Sequence, residues 1–420
     1  MKILVVGSGA REHTIVWKLA QSSKVDEIFA APGNAGTAKL AQNVDIKAED
    51  IGELLKFAQA NRIDLTVVGP EGPLAAGIAD TFLANRLPIF GASKGAAEIE
   101  SSKVFTKELM QRHGIPCARS ASFSDLEKAK AYAREQTPPI VIKADGLAAG
   151  KGVIIAESAL QAEEALTSMM KAKSFGAAGN RVVVEEYLYG REMSYFTFTD
   201  GKTVVPTVPA CDYKRIYDDN KGPNTGGMGS YSLPPFYSEA LGNIIIKTIM
   251  EPTILALADE GRAYKGILYG GLMITNHMPK VIEFNARFGD PEAQVVLPRL
   301  KTDLVDIMMA VVNNELANIN IEWSEEACVG VVVASGGYPG KYQTGFPITG
   351  LDDVDDDIMV FHAGTRVSPE GEIMTSGGRI LTVVAAGKDL AEARDKVYKN
   401  IPRIKFEGCH YRKDIADLEK

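Results

Sequence analysis

The stretch Val281-Ile282-Glu283-Phe284-Asn285-Ala286-Arg287-Phe288-Gly289-Asp290-Pro291-Glu292 holds the residues best suited to chemistry. Side chains alternate faces along a strand, so Glu283 and Asn285 share one face while Ile282 and Phe284 point into a core. A carboxylate and an amide oxygen two residues apart make a hard, oxygen-only pair suited to Mg²⁺, which keeps several waters and shares phosphate oxygens. Arg287, on the same face if the strand continues, would set a planar fork against a phosphoryl group where charge develops. A polar strand edge explains Glu283 or Asn285 singly. It does not explain the ordered set followed by Gly-Asp-Pro-Glu.

Further upstream, Pro139-Ile140-Val141-Ile142-Lys143 reads as a strand, Gly146 to Gly152 is glycine-rich, and Val153-Ile154-Ile155 returns as a second strand. Strand, glycine loop and strand predict a hairpin flap. Its Gly150, Lys151 and Gly152 would offer amides and charge to phosphates. The spacing is not that of a Walker loop, and on its own a flexible hairpin explains the stretch as well. Lys143 and Lys103 could meet a phosphate or the base, or simply be solvated. Glu185-Glu186-Tyr187-Leu188, between two strands, reads as a hinge for adenine: a carboxylate accepts from the exocyclic amine and a backbone amide donates to the ring. Glu192 falls where it could reach ribose hydroxyls. Singly, these acids are ordinary surface residues.

The N-terminus, Met1-Lys2-Ile3-Leu4-Val5-Val6-Gly7-Ser8-Gly9-Ala10-Arg11-Glu12-His13, opens like a dinucleotide-binding turn. That fingerprint needs a third glycine, where this chain has Glu12, and an acid after the second strand, where it has Phe29-Ala30-Ala31-Pro32. What remains is a backbone able to approach an anion at a helix N-terminus, and so a phosphorylated small molecule rather than a dinucleotide.

These residues need elements to hold them. Over the first hundred residues, strands at Ile3–Val6, Val25–Ala30, Leu65–Val68 and Pro88–Phe90 alternate with helices such as Glu53–Ala60 and Leu74–Leu83, which predicts a parallel sheet covered on both faces. The loops Gly7–Gly9, Pro32–Gly36 and Gly69–Pro73 follow its strands and should converge on one site. Further strands are expected near Val182–Glu186, Ser194–Thr199, Ile267–Ile274 and Lys280–Phe284. Helices are expected from Lys103, over Ala159–Lys171, Asp303–Glu315 and Asp389–Lys399. The long polar loop from Ala210 to Tyr231 reads as functional, and Cys328–Ala334 opens a last domain. A chain of 420 residues should split into several domains. Its net charge of −8 argues against a nucleic-acid partner. No apolar stretch approaches a membrane span, and the start leaves no room for a signal peptide. Cys117, Cys211, Cys328 and Cys409 have no paired spacing, consistent with reduced cysteines in a cytoplasmic protein. The histidines show no metal spacing; His13, at the first helix, lies nearest the expected site, with packing as its commoner role.

Lys103, Lys143, the flap, Glu185–Leu188, Glu192 and the Glu283-x-Asn285-x-Arg287 set together resemble the ATP-grasp superfamily. Within it, the whole chain resembles the glycinamide ribonucleotide synthetases. Carrying motifs are Gly7-Ser8-Gly9-Ala10-Arg11-Glu12-His13, Pro32–Gly36, Gly69-Pro70-Glu71, Asp212-Tyr213-Lys214-Arg215, Gly222-Pro223-Asn224-Thr225-Gly226-Gly227-Met228-Gly229, and Arg287-Phe288-Gly289-Asp290-Pro291-Glu292-Ala293-Gln294. The resemblance implies an α/β fold in four parts. These are an N-terminal doubly wound parallel-sheet domain (1–103), the small lobe (104–190) and large lobe (191–325) of an ATP-grasp module, and a small C-terminal α+β domain (326–420).

It also implies ATP as a substrate, Mg²⁺ or Mn²⁺ on Glu283 and Asn285, and a monomer that joins glycine to 5-phosphoribosylamine. Asp212, Lys214, Asn224 and Thr225 fall to the glycine and amine end. Gly9, Gly33, Asn34 and Glu71 fall to the sugar-phosphate end. Two departures stand out. Ala10 replaces a frequent glycine, and Tyr269-Gly270-Gly271-Leu272-Met273-Ile274 lacks the second acidic metal ligand common on that strand. A biotin-carboxylase-like enzyme shares the three-part order but not the Asp212–Arg215 and Gly222–Gly229 loops. The intact Glu283, Asn285 and Arg287 set argues against a non-catalytic relative.

Overall fold

The computed structural model describes residues 1–147, 152–172, 176–276 and 278–417. Its first sheet has five parallel strands in the order Gln42–Asn43, Glu27–Pro32, Lys2–Gly7, Leu65–Val68, Ile89–Phe90. Ile3–Val6 and Leu65–Val68 are continuous buried runs, the pattern of strands covered on both faces. The strand order reverses between Lys2–Gly7 and Leu65–Val68, so a crevice opens at their carboxyl ends. The helix expected over Leu74–Leu83 is two, Glu71–Ala76 and Ile78–Ala84, broken where Gly77 takes φ 96°. Val25 precedes its strand, which begins at Glu27.

The helix Lys103–Arg112 leads to an antiparallel sheet ordered Ser120–Phe123, Val182–Glu186, Ile140–Ala144, Val153–Ala156. Leu126–Glu135 and Ala159–Met170 cover it, burying Ala129, Ile142, Leu166 and Val184 together. The pairing of Ile140–Ala144 with Val153–Ala156 is the expected hairpin; Gly150 and Lys151 lie outside the described residues.

The next sheet orders Val204–Pro206, Arg191–Thr199, Gly266–Ile274 and Pro279–Asn285, again antiparallel. A parallel bridge from Cys117 to Val281 ties it to the preceding lobe.

The last sheet crosses the expected boundary at residue 326. Its order is Cys211–Asp212, Gly229–Ser232, Ala327–Ala334, Arg379–Gly387, Ile358–His362. Both ends of the long loop are therefore strands of the C-terminal sheet. The helix Leu390–Asn400 packs on that sheet through Ala393 and Val397.

One expectation about apolar length needs correcting. The helix Glu239–Asp259 has the length and hydropathy of a span, and 44% of its apolar window is buried in the fold. Polar residues at Asn243, Lys247, Thr248 and Glu251 interrupt it, which hides its length from a search for unbroken apolar runs.

Candidate active site

Glu283 and Asn285 stand on the strand Pro279–Asn285, opposite Gly271 and Tyr269. The register slips between Gly271 and Leu272, whose partners are Glu283 and Val281. Such a bulge leaves one residue unpaired. It changes the expected alternation: Val281 and Phe284 take the core, and Ile282 is only half-buried. It also frees the Ile282 carbonyl, which accepts from Lys143 Nζ at 2.9 Å. Burial pushes the Glu283 carboxyl up, but Lys214, Lys143, Lys103 and Arg287 together pull it below the usual range. Four cations singled out from the sequence thus stabilise the charge of the one carboxylate expected to hold metal.

Arg287 is closely held. Its Nε meets Glu71 Oε2 at 3.1 Å, one terminal nitrogen meets Glu100 Oε1 at 2.9 Å, and the same nitrogen donates to Asn285 Oδ1 at 3.3 Å. Burial raises the Glu71 carboxyl, yet Arg287 and Arg11 hold it down at about 2. Glu100, which also accepts the Ala286 amide at 2.7 Å, is raised by burial against the pull of Arg287. Sequence reasoning missed Glu100, nearly two hundred positions away on the helix Lys94–Ser101.

In the cleft between the lobes, Lys103 donates to the Gly146 carbonyl at 3.2 Å. Glu185 departs from its expected role. Its carboxylate is 3% exposed and sits between Lys143, at 3.2 Å, and Lys107, at 3.0 Å, a counterion rather than an acceptor for adenine. Glu186 bonds the amide and guanidinium of Arg119 and pairs with Lys280 at 3.2 Å. Burial raises Glu186, but these partners hold it at about 2. Leu188 is half-buried beyond them, and Gly152 is buried beside the flap strand.

Glu192 pairs with Lys214 at 3.1 Å. Burial pushes Asp212 well up against the pull of Lys214, with Glu292, Glu192 and Glu283 adding to the rise. Asp212 in turn raises Lys214. Asn224 opposes Arg215 in the small ribbon Arg215–Tyr217 with Lys221–Asn224. Thr225 is a correction. Its hydroxyl donates to the Lys214 carbonyl and accepts the Gly227 amide, both at 2.9 Å, so it staples the loop. Two C-terminal arginines, also missed, grip this loop. Arg379 pairs with Asp290 at 2.9 Å and donates to the Gly226 carbonyl at 2.7 Å. Arg412, fully buried, chelates Asp414 with two bonds of 2.7 Å and donates to the Arg215 carbonyl at 3.0 Å.

The three loops of the parallel sheet do converge, but largely on one another. Glu12 fills the place of the missing glycine: its Oε2 takes the Gly9 amide at 2.6 Å and its Oε1 pairs with Arg11 at 2.7 Å. The amide expected to face a phosphate is therefore occupied by a carboxylate. Asn34 donates to the Ser8 and His362 carbonyls at 2.9 and 2.7 Å and accepts the Gly36 and Thr37 amides. Every polar atom of its side chain is thus engaged within the fold, against the expected contact with substrate. Gly33 is required by its φ of 70°, since a Cβ would stand 2.3 Å from Asn43 Oδ1. His13 is a packing residue: its Nδ1 accepts the His362 amide at 2.8 Å, and burial depresses it to about 3.

Family models of phosphoribosylglycinamide synthetase match the chain in three parts: the N domain over residues 1–100, the ATP-grasp domain over 101–293 and the C domain over 328–418. The chain belongs to the phosphoribosylglycinamide synthetase family. A phosphoribosylamine–glycine ligase of Caldanaerobacter subterraneus subsp. tengcongensis is 50% identical over 416 residues, 99% of each chain. The crystal structure of the Thermotoga maritima phosphoribosylamine–glycine ligase superposes with a TM-score of 0.87 at 33% identity, covering 99% of this chain and 100% of that one. The biotin carboxylase of Campylobacter jejuni shares the fold alone, with a TM-score of 0.74 at 16% identity over 99% and 94% of the two chains.

For this synthetase family member, the donor set around Glu283 fits a hard cation. Among the described residues no three His, Cys, Asp or Glu side chains form a metal cluster. One carboxylate with one amide oxygen is the sparse protein set that Mg²⁺ takes when phosphate oxygens complete its shell. Glu292 is a residue the sequence showed without a role. Only 3% exposed, it accepts from Ser194 and Tyr269 hydroxyls, each at 2.8 Å, and so fixes the turn after Arg287.

Proposed function

We infer that this protein ligates glycine to 5-phosphoribosylamine with ATP, giving glycinamide ribonucleotide, ADP and phosphate in purine biosynthesis. The observation that carries the reading is the strand that sets Glu283 and Asn285 two residues apart, with Lys143 bonded to its Ile282 carbonyl at 2.9 Å and Arg287 donating to Asn285 at 3.3 Å. A glycine carboxylate oxygen attacks the γ-phosphorus of ATP, and ADP leaves. The amine then attacks the carbonyl carbon of glycyl phosphate, loses a proton, and phosphate departs. Lys103 and Lys143 hold the phosphates and Arg287 steadies the transferring group, so the residues act by position and charge. A Mg²⁺ or Mn²⁺ on Glu283 and Asn285 would neutralise charge on the phosphate oxygens. Asp212 and Lys214 orient glycine, with Asn224 beside them. Leu188 and the Glu186 backbone flank the base, and Glu192 faces the ribose. Glu71, in a crevice of carboxylates, suits the hydroxyls or amine of phosphoribosylamine better than its phosphate. A water-poor cleft protects the acyl phosphate.

We place the domain limits near residues 103, 190 and 325, and propose a cytoplasmic monomer, which sedimentation would check. The test of function is ADP release with ATP, Mg²⁺, glycine and freshly generated phosphoribosylamine, each omitted in turn. Release that needs both glycine and the amine supports the reading. Release driven by bicarbonate or another carboxylate overturns the substrate assignment.

A further inference from the structure

Lys107, Glu185 and Lys143 form a row of charges, each 3% exposed. Glu185 Oε2 meets Lys107 at 3.0 Å and Oε1 meets Lys143 at 3.2 Å. Lys107 stands one helical turn after Lys103, on the helix that enters the cleft. An ammonium carries three donors, yet Lys107 has this ion pair and no well-directed hydrogen bond. Two buried cations thus share one buried anion. Within the row the cations exceed the anion by one, and burying an uncompensated charge is costly. Lys143 is also the member nearest the metal strand, bonded to the Ile282 carbonyl.

We propose that Lys107 is a positioning residue for nucleotide binding: it keeps Glu185 neutralised so that Lys143 can turn from Glu185 to a phosphate of ATP. The proposal rests on the reading of this cleft as the ATP site. Without Lys107, moving Lys143 would strand a buried carboxylate, and Glu185 would retain the lysine. Lys107 itself touches neither the nucleotide nor the reacting atoms.

The test is calorimetric titration of the full chain with ATP and Mg²⁺, well below each variant's melting temperature. Lys107→Met should weaken ATP by about tenfold or more, the order expected when a buried charge loses its partner, with the KM for glycine little changed. Adding Glu185→Gln to that variant should restore most of the affinity, because no carboxylate is left to hold Lys143. Glu185→Gln alone should bind ATP at least as tightly as the parent. Two results overturn the proposal: Lys107→Met within twofold of the parent, or weakened ATP binding by Glu185→Gln alone. The second remains decisive if Lys107→Met fails to fold. Lys143→Met is the separate control: if it leaves ATP affinity unchanged, the reading of the cleft as the ATP site fails, whatever Lys107 does.

Discussion

In the crevice above the parallel sheet, the guanidinium groups of Arg11 and Arg287 face three carboxylates, Glu12, Glu71 and Glu100. In the cleft between the lobes, Lys103, Lys107 and Lys143 have two, Glu185 and Glu283. The crevice has one carboxylate more than its guanidinium groups, and the contacts of both are already made. These three lysines of the cleft outnumber their two carboxylates by one, and the phosphates of a nucleotide would supply the further negative charge. Substitutions in the crevice should therefore act first on stability, and substitutions in the cleft on turnover and ligand affinity.

Arg287 belongs to both regions and gives the sharpest test. Arg287→Ala should cut turnover by about 10³-fold, the upper range for loss of one charge-stabilising donor, while the KM for ATP stays within a few-fold. It should also cost ~3 kcal/mol of stability by leaving Glu71 and Glu100 without their cation. Steady-state rates and denaturant unfolding measure the two losses, and a loss in turnover alone would break the comparison. Glu283→Gln is the cleft counterpart. It should lower turnover by about 10²-fold and raise the Mg²⁺ needed for half-maximal ADP release, with little change in melting temperature. An unaltered Mg²⁺ titration would remove Glu283 from the metal site.

Asn34→Ala should do the reverse, costing ~1–3 kcal/mol through unpaired backbone groups while the KM for phosphoribosylamine stays within about twofold, as expected of a residue outside the reacting centre. A large rise in that KM would return Asn34 to the substrate.

The smallest expected effect is a pH slope. His13 and His362 are depressed by burial to about 3 and about 4, from 6.5. The unfolded chain then binds more protons between those values and 6.5. Their contribution to stability is complete above pH 6.5 and is lost as pH falls toward 3. His13→Asn should flatten the fall in melting temperature between pH 6.5 and 4.

The sequence showed most clearly those features that depend on local pattern. Apolar runs before glycine loops located the parallel sheet, and two-residue spacing placed Glu283 and Asn285 on one face. It was least informative where a role depends on a distant partner. Lys107, Glu100, Arg379 and Arg412 are unremarkable in their own segments and take on roles only when the chain folds. Asn34 and Thr225 mislead for the related reason that a motif residue can serve the backbone as readily as a ligand. The bulge after Val281 is equally silent, since nothing in Val-Ile-Glu-Phe marks where the register slips.

The strands Cys211–Asp212 and Gly229–Ser232 lie in a sheet whose other members are Ala327–Ala334, Arg379–Gly387 and Ile358–His362. A chain emerging from the ribosome must therefore release its last quarter before that sheet can close. Until then Gly229–Ser232, the strand that pairs with Cys211–Asp212, lacks its other neighbour Ala327–Ala334, while the parallel sheet, made from the first hundred residues, can already form. A nascent or prematurely terminated chain would thus own a folded first domain, but the loop between Cys211–Asp212 and Gly229–Ser232 would not yet be seated in its sheet.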